Sequence, residues 1–93
     1  MAPAVTVAGN AAQRIAIDAT VAVFEANADV VLESWQVIDG TEFHDGEPAP
    51  AGRLYVEFRY RDPHRADELQ YRPGREVHVY STRGQVLESQ DFG

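Results

Sequence analysis

Ninety-three residues, 44% hydrophobic and 25% charged, suffice for one domain with one packed core and exclude an intrinsically disordered chain. The absence of cysteine excludes a disulfide framework, a thiolate metal site and a cysteine nucleophile. A formal charge of −7 argues against nonspecific binding to nucleic acid or to an anionic membrane, because both depend on Lys and Arg neutralising phosphates.

In chain order, Met1 to Asn10 has neither a basic stretch nor an apolar run of signal-peptide length, and a strand is expected at Val5 to Val7. No apolar run reaches membrane-spanning length, so the chain reads as cytoplasmic, or as part of a particle assembled in the cytoplasm. From Arg14 to Phe24, Ile15, Ile17, Ala19, Val21 and Val23 fall on every second position, which predicts a strand. A helix is the rival reading, because Ala11, Ile15, Ala19, Ala22 and Ala26 also make a stripe; the β-branched content favours the strand. The turn-like Ala26 to Asp29 would then join it in a hairpin to a second strand, Val30 to Ile38, closed by Asp39-Gly40.

Thr41 to Gly52 holds two Gly, two Pro and three acids without periodicity and reads as a long exposed loop, the segment most open to proteases. Arg53 to Arg61 alternates cleanly, with Leu54, Val56, Phe58 and Tyr60 on a core face and Tyr55, Glu57, Arg59 and Arg61 on the other. On that reading Glu57 stands on a solvated face, and truncating it costs less than about 1 kcal/mol. Asp62 to Asp67 is a turn. A short strand at Leu69 to Tyr71, the Pro73-Gly74 turn, a strand at Glu76 to Ser81, the Arg83-Gly84 turn and a strand at Gln85 to Ser89 complete the chain. The loop-then-strand phrasing from Gly52 through the run Tyr71 to Val79 resembles that of many OB-type barrels, without a motif that names a family. The expected fold is therefore all-β: one domain over residues 1–93, a small antiparallel β-sandwich or a partly open, OB-like barrel of six to seven strands.

Eight acids and a single base, Arg14, lie between Met1 and Pro50, whereas seven arginines balance seven acids from Ala51 onward. All bases are Arg, which suits planar, partly dehydrated ion pairs better than Lys does. Glu42, His44, Asp45 and Glu47 crowd carboxylates and an imidazole into one loop, but their spacing matches no calcium or zinc pattern, so no metal and no cofactor is expected. No nucleophile elbow, phosphate loop or nucleotide fingerprint occurs, and an enzyme is not the expected class.

The strongest functional candidate is a protein-binding face of Tyr55, Glu57, Arg59 and Arg61, with His78 and Tyr80 alongside from the next strand. Trp35 is expected in the core beside Val31 and Val37, and becomes a binding hot spot if exposed. The chain is thus expected to be a non-enzymatic β module that binds a protein partner or itself, as a structural subunit of a virus-like or phage-like assembly. A small acidic inhibitor acting on a basic, nucleic-acid-handling site is the second reading, and a ligand-binding or enzymatic barrel the third.

Overall fold

The computed structural model, which describes residues 9–63 and 74–92, consists of a helix α1 (Ala11–Ala26) followed by four strands, β1 (Val31–Ile38), β2 (Leu54–Arg61), β3 (Gly74–Tyr80) and β4 (Val86–Asp91). The strands form one antiparallel sheet in the order β1-β2-β3-β4, each pairing with its neighbours in sequence. The fold is mostly β with one helix, which corrects the all-β expectation. Four strands in a single sheet stand among the described residues in place of a six- to seven-stranded sandwich or barrel. The strands expected at Val5 to Val7 and Leu69 to Tyr71 lie outside the described residues.

The expected strand at Arg14 to Phe24 is instead the body of α1. Six alanines favour a helix, and Asn10 caps it: its side chain accepts from the Gln13 N–H at 2.8 Å, while the Gln13 side chain accepts from the Asn10 N–H at 3.0 Å. Gln13, Ile17 and Phe24 make the buried stripe. The alternation misleads because every second residue of a helix steps round to the opposite side. Ile17 and Val21 turn inward, whereas Ile15 and Val23 stay 69% and 70% exposed. No hairpin joins this segment to β1; Asn27 ends the helix with its N–H on Phe24 O, and its side chain accepts from the Asp29 N–H to turn the chain into the sheet.

Helix α1 covers one face of the sheet. Ile17 and Phe24 meet Val56, Phe58 and Tyr80, with Leu54, Tyr60 and Leu32 at the margin. The Phe58 ring stacks on Phe24 at 5.5 Å and meets His78 edge-on at 5.2 Å. The Tyr80 hydroxyl shares a 2.7 Å hydrogen bond with Thr20, so the polar tip of this buried ring is satisfied. At its start the helix is fastened to loop carbonyls: Gln13 Nε2 donates to Gly52 O and Ser81 O, both at 3.1 Å, and Asn10 Nδ2 donates to Thr82 O at 2.9 Å. Asn10→Ala removes the cap and the Thr82 bond together, and is expected to cost about 1–2 kcal/mol in urea unfolding with an unchanged m value.

The second face of the sheet is covered in part by the start of the segment between β1 and β2, while most of Thr41 to Gly52 is exposed. Gly40, at φ +77°, lies flat against Tyr55, where a Cβ would stand 2.7 Å from the ring. That approach seats a short 3-10 helix, Thr41–Phe43, with Phe43 stacked on Tyr55 at 5.8 Å and the His44 Nε2 hydrogen-bonded to the Tyr55 hydroxyl. Along the segment Asp39, Glu42, residues 45–48 and residues 50–53 are exposed.

Candidate protein-binding surface

Tyr55, Glu57, Arg59 and Arg61 share the face away from α1, as the alternation requires, but they do not form an open row. Tyr55 and Glu57 are only 2% and 3% exposed. Glu57 accepts from Arg59 Nε at 2.9 Å, from Gln36 Nε2 at 2.9 Å and from Arg75 Nε. Arg75 reaches on to Glu42 at 2.7 Å and lies 4.8 Å over the Phe92 ring. Burial pushes the Glu57 carboxyl up, but the hydrogen bonds from Arg75, Gln36 and Arg59 and the Arg75 charge outweigh it and hold the group below its ordinary range. Its oxygens are occupied by donors, so the cluster works as a clamp that joins β1, β2, β3 and the 3-10 helix. Arg59 and Arg61 remain at the surface, Arg61 beside Glu33 at 3.3 Å.

His78 and Tyr80 lie on the opposite face, towards α1, because the register sets them against Val56 and Leu54 instead of against Tyr55 and Glu57. The expected six-residue face is therefore split by the sheet. Trp35 sits on edge strand β1 opposite Phe58 and is 38% exposed, which corrects its expected place in the core. Of the loop residues with metal-ligating groups, Glu42 is engaged by Arg75 and His44 by Tyr55. No group of three or more such residues gathers among the described residues.

A different surface stands open where α1 meets β3 and β4. A hollow of about 270 Å³ is lined by Ala16, Ala19 and Val23 of the helix and by Gly84 and Val86 of the sheet side, with His78 at its base. Of its lining, Val23 and Val86 are exposed, and the same two elements also carry the exposed Ile15 and Leu87. Gly84, at φ +79°, is pressed against the helix, where a Cβ would fall 2.5 Å from Ala12 O. Across Thr20, Val23 and His78 lies a second cleft of about 280 Å³ with a more polar lining that includes Glu76, Tyr60 and Asp91. There His78 Nε2 pairs with Glu76 at 2.6 Å, and the buried Nδ1 has no hydrogen-bond partner. Ser89 is the cross-strand neighbour of His78, yet no hydrogen bond joins them, so no nucleophile–base pair is assembled.

Comparison of the chain with protein-family models, with curated proteins and with solved structures gives no match. No described helix is long and apolar enough to cross a membrane.

Beside the apolar hollow, β4 is an edge strand, and all six of its residues are exposed. Sequence reasoning passed over this surface because it read Ile15 to Val23 as a strand. The signal was present in the Ala11, Ile15, Ala19, Ala22 and Ala26 stripe, all of which is exposed. Combined with the buried stripe, it gives the helix more apolar surface than one sheet face can cover.

Proposed function

We propose that this chain is a non-enzymatic protein-binding module, an acidic subunit or regulator of a larger assembly, that engages its partner through the side where α1 meets β4. One observation carries the reading: exposed aliphatic side chains on two elements, Val23 of α1 and Val86 of β4, line one apolar hollow beside a strand edge that no described strand covers. Exposed aliphatics scattered singly are ordinary, but a patch contiguous with a groove marks an interaction site. The clamp face is a weaker candidate, since its central carboxylate and ring are already buried by the chain itself.

Photo-crosslinking tests the proposal. A photoreactive residue is placed in turn at Val23, at Val86 and, as a far-side control, at Asp45, in the chain expressed in its native cell. Adducts from the first two positions and none from the third are expected. Equal labelling at all three, or labelling from Asp45 alone, would reject this surface.

A further inference from the structure

We propose that the partner enters as an extended, basic segment that adds a strand to the open edge of β4, an inference that rests on the protein-binding reading above. Two features of the edge carry it. The Phe92 N–H donates inward to Arg75 O at 2.7 Å, which sets the alternation of the ladder. With Asp91 opposite Glu76 and Ser89 opposite His78, Ser89 then turns its N–H and C=O outward, where no described strand pairs with it. Such an edge is a template for a further strand.

The side chains on either side of that edge define the incoming sequence. A strand laid along β4 sends alternate residues to the α1 side and to the far side. Near Val86 the α1 side offers the hollow lined by Ala16, Ala19 and Val23, which accepts a branched apolar side chain. On the far side stands Glu88, more than half exposed and 3.9 Å from Arg53, and β4 itself carries two acids and no base. Towards the far end of the strand the α1 side adds Glu76 and Asp91. The complementary segment alternates apolar with basic residues. The net charge of −7 adds long-range attraction for such a segment, while at the edge itself Glu76 is paired with His78 and Asp91 accepts from the Tyr60 hydroxyl. Because the segment would extend the single sheet, the partner adds to the β layer at the edge that no described strand pairs with.

The test uses the full chain labelled with ¹⁵N and a short capped peptide of alternating valine and lysine, with glutamate-for-lysine and backbone N-methylated versions as controls. Expected are shifts centred on Ser89, Ala19 and Val23, slowed exchange of the Ser89 amide, binding about tenfold or more tighter than either control peptide, and weakening with salt. Ser89→Pro removes an outward N–H without removing a ladder bond, so thermal unfolding should hold while peptide binding falls by about tenfold or more. Should that variant misfold, the N-methylated peptide reports the same backbone contact. Equal binding by all three peptides, or binding that ignores both Ser89→Pro and N-methylation, overturns the proposal. So does a concentration-dependent mass in sedimentation that Ser89→Pro abolishes, which would assign the edge to a second copy. Adducts at Val23 and Val86 with a peptide indifferent to these changes would leave the binding surface standing and remove strand addition alone; absence of adducts removes both.

Discussion

Phe58→Ala is expected to lower the free energy of unfolding by about 3–5 kcal/mol, the range for emptying an aromatic site in a core that cannot collapse around the void. Phe58 is fully buried. Its ring is held between Phe24 of the helix and His78 of the neighbouring strand, at 5.5 and 5.2 Å, so helix and sheet each lose a face of contact when it is removed. Neighbouring positions cannot readily move in to fill the space, because Val56 and Tyr80 are themselves fully buried and Tyr80 is fixed by its bond to Thr20. Urea unfolding followed by tryptophan fluorescence measures the change. A loss below about 1.5 kcal/mol would mean that the helix does not pack on the sheet as described.

Glu57→Ala is expected to cost about 3 kcal/mol, near the lower end of the range for breaking one partner out of a buried ion pair. The lower end applies because Arg75, the charge left behind, keeps Glu42 and is about a quarter exposed. This revises the value of less than about 1 kcal/mol that the alternation alone implies, since the far face of β2 is covered and the carboxylate ties three strands to the 3-10 helix. The group also makes stability depend on pH. Its folded-state carboxyl is held below the ordinary value of 4.5, so it contributes stability that is fully present above that value and is lost as pH falls through the folded one. Acid titration of thermal stability should therefore show a decline beginning below pH 4.5 that is shallower in Glu57→Gln. Parallel profiles for the two proteins would show that Glu57 is not the group responsible.

Strand β2 was legible because its apolar residues fall on every second position. Leu54, Val56, Phe58 and Tyr60 alternate with polar residues, and a register of one face inward was read correctly. The helix was not legible from the same rule, because Ile15, Ile17, Val21 and Val23 satisfy a period of two while Gln13, Ile17 and Phe24 satisfy a helical one. What decides between them is the Asn10 cap, the alanines and the contact of Gln13 with distant loop carbonyls, and only the first two are local. The far face of β2 was placed on the correct side of the sheet but read as solvated, since nothing in the string Thr41 to Gly52 announces that Phe43 and His44 fold back onto Tyr55. His78 and Tyr80 were assigned to that face for want of the register, a relation between strands that alternation within one strand does not contain.

The way Gln13 is fastened has a consequence for the order in which the molecule assembles. Its side-chain amide donates to Gly52 O and Ser81 O, residues that flank the paired positions Leu54 and Tyr80. Those two carbonyls come together only once β2 and β3 are zipped at that end. In the unfolded chain, joining Gln13 to Ser81 closes a long loop at an entropic cost that a single amide does not offset, whereas the β2–β3 ladder shortens that loop by pairing residues nearer in sequence. The start of the helix thus gains its full Gln13 anchor only when β2 and β3 are closed in the correct register at that end. A strand slipped by one residue would move Ser81 away from Gly52 and leave the start of the helix without its anchor.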